Sequence, residues 1–480
     1  MKTCLLIVHL LCCVICASAR PPNVLIVFTD DQGTLDAGCY GAEHLYTPHI
    51  DSLAAQGVRF TQAYAHTFCC PSRASLLTGR HPQRGGVNHW TQNDIKDPTG
   101  GVNMHLSEIT LAELLKDAGY RTALFGKWHL GADKDHGPTR QGFDEFFGIR
   151  GGFIDNYNHA FLQGDGYHDL YDGTDEQFAD GEYFPELMTQ RAEAFIDKYH
   201  EEPFFVYFSL NTPHYPEQPR QQDLARYASL EEPRRTYAAF VTTTDYYIGR
   251  MLKRLEQWDL RKQTIVIFMS DNGHQSYDAL RKLFEIKTDN HPSGLPKGYR
   301  FAGGDAPNPG GGYTGKWIGH KSTFLEGGLR VPAIISYPGV LPEGVVRDQI
   351  ISVMDWVPTV LDLCALDPPD YTLDGRSLVS MIRSNDVPSP HPVLYFQWQN
   401  KWAVREGPWK LVRIKGNRAS YREHFYLFNL DDQNPEQINY FDQHPDRVAY
   451  FKALYAAWEK EVFAGQSDRP WIKPEVPPVR

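Results

Sequence analysis

Cysteine is scarce in this 480-residue chain: eight in all, of which Cys4, Cys12, Cys13 and Cys16 lie in the first sixteen positions. Beyond them only Cys39, Cys69, Cys70 and Cys364 remain, too few for a disulfide framework in a chain of this length. One bridge from Cys39 to Cys364 is open, although two buried apolar thiols is the favoured reading. No Asn-X-Ser/Thr acceptor occurs; at Asn211-Thr212-Pro213 the third position is proline. That absence favours a bacterial periplasmic or secreted setting over a glycosylated lysosomal or luminal one. Positive charge is in deficit, with 48 Lys and Arg against 59 Asp and Glu and a net charge of −11. A nucleic-acid partner is therefore excluded, since phosphate contacts need a basic surface, and an anionic substrate would have to be held by local cations. Long apolar runs are missing too. The N-terminal run from Leu5 to Ile15 is shorter than the roughly 20 residues of a bilayer-crossing helix. Between Lys2 and Ala17-Ser18-Ala19 it reads as an export signal occupying residues 1–19, so an exported protein without a membrane span is expected.

What is present has the pattern of an α/β protein. Asn23 to Phe28, Thr122 to Phe125, Phe204 to Phe208 and Thr264 to Met269 are short continuous apolar runs, as strands buried on both faces should be. Amphipathic helices lie between them. Thr110 and Glu113 make a capping box, with Leu111, Leu114 and Leu115 as the buried stripe and Gly119 at the end. Leu187, Arg191, Phe195 and Tyr199 share one predicted helical face, and Phe240, Thr244, Ile248 and Leu252 another. This alternation predicts helices around a large, mainly parallel central sheet over residues 20–373. From Asp374 to Arg480 the character changes: Val393 to Phe396, Trp402 to Arg405 and Trp409 to Arg413 read as short strands, and Arg447 to Phe463 as a helix. Between Asp271 and His320 no period is visible, and the Gly- and Pro-rich composition suits a wall of a substrate pocket.

The first apolar run leads into Asp30-Asp31 and the last into Asp271-Asn272. Functional groups in open α/β sheets gather beyond the carboxyl ends of strands. Hard oxygen donors without His or Cys suit Ca²⁺ or Mg²⁺ better than zinc, although adjacent aspartates can also cap turns. Cys69-Cys70-Pro71-Ser72-Arg73 runs on into Ala74-Ser75-Leu76-Leu77-Thr78-Gly79-Arg80. Pro71 fits a first helical turn and Gly79 its end, which puts Cys69 at a helix N-terminus, where N–H groups favour an anion. A vicinal cysteine pair in a turn, or a pair of thiolate metal ligands, is the alternative on residue type alone.

The twelve-residue stretch resembles the signature of the type I sulfatases. Gly126-Lys127-Trp128-His129-Leu130-Gly131 resembles their second signature, and Thr212-Pro213-His214 and Gly319-His320-Lys321-Ser322-Thr323 their further sulfate-contacting segments. The resemblance implies an alkaline phosphatase-like α/β sandwich with a small C-terminal subdomain of antiparallel sheet and packed helix. It implies that Cys69 is oxidised to Cα-formylglycine (3-oxoalanine) by a formylglycine-generating enzyme. One Ca²⁺ would be held by Asp30, Asp31, Asp271, Asn272 and residue 69. Arg73 and Lys127 would stabilise the hydrated aldehyde, His214 and Lys321 would bind sulfate and serve the leaving alcohol, and His129 would take the proton that releases sulfate. Two positions depart from the pattern: Cys70 places a second thiol beside Cys69, and His320 sits next to Lys321.

The implied activity is hydrolysis of a sulfate monoester on a sulfated small molecule or glycan. The sugar rests on export and on aromatic side chains that could stack on a ring, namely Trp90, Trp128, Trp398 and Trp402. A phosphonate monoester or phosphodiester hydrolase of the same superfamily, or a silent sulfatase-like binding protein, are the competing readings.

Overall fold

The computed structural model describes residues 20–91, 103–161, 167–275, 311–415 and 423–464. The export signal and residues 276–310 of the Gly- and Pro-rich stretch lie outside the described residues. Ten strands form the large sheet: β1 (Asn23–Thr29), β2 (Val58–Tyr64), β3 (Arg121–Lys127), β4 (Glu145–Ile149), β5 (Tyr171–Asp172), β6 (Asp175–Glu176), β7 (Phe204–Ser209), β8 (Thr264–Ser270), β9 (Arg330–Ser336) and β10 (Val345–Ser352). Their spatial order is β10-β2-β9-β8-β1-β7-β3-β4-β5-β6. The four apolar runs are the contiguous parallel centre β8-β1-β7-β3. β9 is antiparallel to both neighbours, and β5 and β6 finish one edge as an antiparallel ribbon.

The continuous apolar character of β1 follows from having two covered faces. Val24, Ile26 and Phe28 point into one core with Leu76, Leu111 and Trp356, whereas Leu25 and Val27 point into the other with Ile50, Met188 and Ile248. Successive side chains of a strand alternate faces, so a strand between two helical layers must be apolar at every position. The Thr110 capping box forms as predicted, and Phe240, Thr244, Ile248 and Leu252 are all buried. The helix Phe184–Tyr199 is turned from its predicted stripe: it buries Phe184, Met188, Ala192, Phe195 and Ile196, while Arg191 is exposed and pairs with Asp172 at 2.9 Å. The larger apolar set lies on the 184–188–192 line, and it prevails. Cys39 and Cys364 are unbridged; Cys364 is buried, and Cys39 is only partly so.

The second sheet is antiparallel throughout, β11 (Val393–Trp398), β12 (Lys401–Glu406), β13 (Trp409–Lys415) and β14 (Glu423–Asn429) in sequential order. One face packs Trp402, Val404, Leu411 and Leu427 against Val448, Phe451 and Tyr455 of the helix Pro445–Val462. Its other face sends Leu394, Phe396, Ala403 and Val412 into the first core. A buried ionic knot ties the two sheets together. Lys410 of β13 is 0% exposed; its Nζ lies 2.9 Å from Glu326 Oε1 and pairs also with Glu436. Glu326 Oε2 accepts from Arg330 Nε at 2.9 Å and from Tyr64 Oη of β2 at 2.5 Å. Burial alone would raise the Glu326 pKa, but Lys410 and Arg330 outweigh it and hold the carboxyl below its ordinary value.

Lys410→Met would leave Glu326 and Glu436 facing each other without their shared cation. The variant is expected to lose about 3–5 kcal/mol of stability, the usual cost of removing one partner of a buried ionic group, read as a lower urea midpoint.

Candidate functional site

β8, β1, β7 and β3 end at one edge of the sheet because they are parallel and in register, with Thr29 beside Ser270, Phe28 beside Ser209, and Gly126 beside Ser209. The residues that follow therefore emerge side by side: Asp271-Asn272, Asp30-Asp31, the segment to His214, and Lys127. Gly126 permits this closeness, since a Cβ there would stand 1.9 Å from the Ser209 carbonyl oxygen. Asp31 at φ 64° and His129 at φ 56° both occupy the left-handed region, a strain that persists only where surrounding structure imposes it. The helix Cys69–Thr78 starts directly at Cys69, and Gly79 closes it at φ 67°. Arg73, one turn on, lies on the same helical face as Cys69.

These elements bring every residue of the sequence-derived site into one buried cluster. Cys69 Sγ donates to Asp30 Oδ1 at 3.3 Å and lies 4.0 Å from Asp31 Oδ1. Lys127 Nζ donates to Asp30 Oδ2 at 2.6 Å, and Lys321 Nζ to Asp31 Oδ2 at 2.9 Å. Arg73 donates to Asp271 Oδ2 through Nε at 3.1 Å and Nη2 at 2.8 Å. His214 Nδ1 lies 2.6 Å from the Tyr215 carbonyl, which directs Nε2 to Asp31 Oδ2 at 3.5 Å. Among the described residues both ring nitrogens of the buried His129 lack a hydrogen-bond partner, and the Trp90 indole stacks over its ring at 6.4 Å and 13°.

Burial sets the proton affinities here. It pushes the Cys69 thiol well above its ordinary pKa, with Asp271 and Asp30 adding to the effect. It pushes His129 well below the usual histidine range, helped by Lys127 and Arg73, and it does the same to His214, helped by Lys321. Burial opposes the charge of Lys321 as well, but Asp31, Cys69 and Asp30 outweigh it and raise that pKa. In sum, Asp30, Asp31 and Asp271 face Arg73, Lys127 and Lys321, and burial disfavours a charge on either histidine.

The departures resolve in space. Cys70 Sγ turns to the His89 carbonyl at 3.6 Å, and the two thiols are not bridged. His320 Nδ1 lies 2.7 Å from the Lys321 carbonyl, whereas the Lys321 ammonium enters the cluster. Of the four tryptophans, Trp128 is fully buried and donates to the His136 carbonyl at 2.9 Å, and Trp402 stacks on Tyr455 in the small-sheet core. Neither can meet a ligand. Trp90 and Trp398 meet edge-to-face at 5.2 Å and close around Phe68, next to Cys69. The sequence reading missed Ser209 and Tyr207, whose hydroxyls lie 2.5 and 3.5 Å from Arg73 Nη1. Polar groups at the carboxyl end of an otherwise apolar strand were the available signal.

The cluster fits a hard divalent cation. Asp30, Asp31, Cys69 and His214 place ligand atoms within 4.8 Å of one another. The Asn272 amide donates to Asp31 Oδ1 at 2.6 Å, yet its own Oδ1 is buried without a partner among the described residues. An orphaned amide oxygen among carboxylates is the donor type that Ca²⁺ or Mg²⁺ takes.

A family model described as Sulfatase matches residues 22–366, and one described as N-sulphoglucosamine sulphohydrolase, C-terminal, matches residues 316–456. The chain is 33% identical to N-acetylgalactosamine-6-sulfatase of Rattus norvegicus over 412 residues, 82% of this chain and 71% of that protein. It is 30% identical to arylsulfatase A of Homo sapiens over 434 residues, 82% of this chain and 75% of that protein. Among solved structures it is similar to Ps i-CgsB in complex with k-i-k-neocarrahexaose, with a TM-score of 0.75 and 24% identity over 95% of this chain and 100% of that one. At that identity the likeness bears on the fold alone.

Asn272→Leu keeps the side-chain volume and removes the orphaned oxygen. Calcium affinity measured by calorimetric titration is expected to fall more than about tenfold, the smallest loss typical even of an outer-shell partner.

Proposed function

The chain belongs to the sulfatase family, and from that premise we propose that it hydrolyses a sulfate monoester on a carbohydrate, with residue 69 as formylglycine and one calcium ion at Asp30, Asp31, Asp271 and Asn272. The observation that carries the reading is the placement of Cys69: first residue of a helix, 1% exposed, its Sγ 3.3 Å from Asp30 Oδ1. The hydrated aldehyde would supply one hydroxyl to attack sulfur and a second whose deprotonation lets sulfate leave, so no external water is needed for that step. The calcium ion would polarise a sulfate oxygen and offset the carboxylate charge.

The remaining roles belong to the chain's own residues. Arg73 and Lys127 supply buried positive charge beside residue 69, and Arg73 is fixed by Asp271 and Ser209. Preorganised cations of this kind favour an oxyanion without rearrangement. His214 Nε2 and Lys321 Nζ converge on Asp31 from two different loops, where they would bind the sulfate group, and Lys321, whose ammonium Asp31 stabilises, would give a proton to the departing alcohol. His129, whose burial holds its pKa low and whose ring nitrogens have no hydrogen-bond partner among the described residues, is suited to accept the proton of the second hydroxyl.

A carbohydrate is supported by the name of the rat relative and by the half-buried Trp90 and Phe68 beside the site, which pack on the buried Trp398. Among the described residues no helix is long and apolar enough to cross a membrane. The leader through Ala19 supports export, and maturation would need a formylglycine-generating enzyme.

The test is release of inorganic sulfate from a panel of sulfated sugars and one aryl sulfate, with residue 69 confirmed as formylglycine by peptide mass. Cys69→Ala and Asp271→Ala are each expected to lower kcat at least about 10³-fold, the upper range for losing one oxyanion-stabilising group. Full activity of Cys69→Ala, or release of the alcohol from a phosphonate monoester or phosphodiester with no sulfate from any ester, would overturn the reading.

A further inference from the structure

A second cluster of ligating side chains lies outside the strand-end site and shares no residue with it. His159, His168 and Asp180 each place a ligand atom within 4.8 Å of the other two. His159 is 0% exposed, held at φ 57° in a turn, and Asp180 is exposed, so the cluster runs from the interior to solvent.

The hydrogen bonds of the two imidazoles are informative. His159 Nε2 lies 3.1 Å from the Glu182 carbonyl oxygen, which can only accept, so Nε2 carries the proton and Nδ1 keeps a lone pair. His168 Nδ1 lies 3.0 Å from Glu176 Oε1, which leaves the lone pair on Nε2. Those two nitrogens, His159 Nδ1 and His168 Nε2, are buried and have no hydrogen-bond partner among the described residues. The rings stand at 88° with centroids 6.0 Å apart, so they do not stack on one another, and Phe178 stacks on His168 at 4.5 Å. An imidazole whose far nitrogen is fixed by a carboxylate or carbonyl, leaving the near one unpartnered beside another ligand, is the arrangement around metal-bound histidine.

We propose that His159 Nδ1, His168 Nε2 and an Asp180 carboxylate oxygen form a second metal site, selective for a zinc-class ion. Two imidazoles and one carboxylate suit Zn²⁺ over Ca²⁺, and a water would complete four-coordination at the exposed side. An ion there joins the turn around His159 to the segment after β6. The same turn region carries Phe153, whose ring stacks on His214 of the candidate active site at 5.3 Å and 22°. The site would thus brace one wall of the substrate pocket.

The experiment is a Zn²⁺ titration of the full-length protein, stripped with chelator and then held in excess Ca²⁺ so that the strand-end site is filled. Wild type is expected to bind one Zn²⁺ per chain, and Co²⁺ in its place to give the visible absorption of a four-coordinate site. His168→Gln and Asp180→Asn are expected to lose that binding while keeping the wild-type melting temperature in chelator. Glu176→Gln is expected to weaken it about tenfold, as loss of an outer-shell carboxylate does. Because Asp180 is exposed, its substitution tests the site even if His168→Gln misfolds. No Zn²⁺ bound by wild type, or equal binding by wild type and Asp180→Asn, would overturn the proposal.

Discussion

Asp30, Asp31 and Asp271 are buried together at one sheet edge, and the rest of the architecture accommodates that fact. An unpaired buried charge costs several kcal/mol, so three carboxylates can share this place only if cations reach them in good geometry. Arg73 comes from a helix, Lys127 from the end of β3, and Lys321 from a loop near the small sheet. Their charges cancel. A divalent cation added to a balanced cluster would leave a surplus of +2, which is what an otherwise acidic protein needs to attract an anionic ester.

The ionic knot around Lys410 repeats this logic at the junction of the sheets. Glu326 opens the short helix Glu326–Leu329, and Lys321 stands five positions earlier in the same segment. The backbone between them is held as well: Lys321 N donates to the His274 carbonyl at 2.9 Å, and Ser322 N to the Thr67 carbonyl at 2.9 Å. Lys410 of the small sheet therefore anchors the segment that delivers Lys321 to Asp31. Buried ion pairs add little net stability, but they punish misplacement, and here that property fixes the approach of a candidate catalytic lysine.

Much of this was legible in the chain itself. Continuous apolar runs marked the four central strands, and the capping box at Thr110 marked a helix start. The segment from Cys69 to Arg80, with Lys127, His129, His214 and Lys321, pointed to one family before any of them were neighbours. The edges were less legible. β2 and β10 are only partly buried and mix polar with apolar residues, and β14 is a short aromatic run of ambiguous period. The stripe of Phe184–Tyr199 was misread by one position because Leu187 and Tyr199 border the buried face without leading it.

By itself the sequence determined local things: which stretches bury both faces, where a helix begins, and which side chains carry the chemistry. These depend on side-chain period, capping and residue type, all of which act over a few positions. Only the tertiary structure decided which groups meet. It put Ser209 and Tyr207 on Arg73, sent Trp128 and Trp402 into cores while leaving Trp90 over His129, and turned Cys70 away from Cys69. It also set His159 and His168 with their lone pairs beside Asp180. Such meetings follow from strand order and register, which are settled by packing among residues hundreds of positions apart and leave no trace in any short window of the chain.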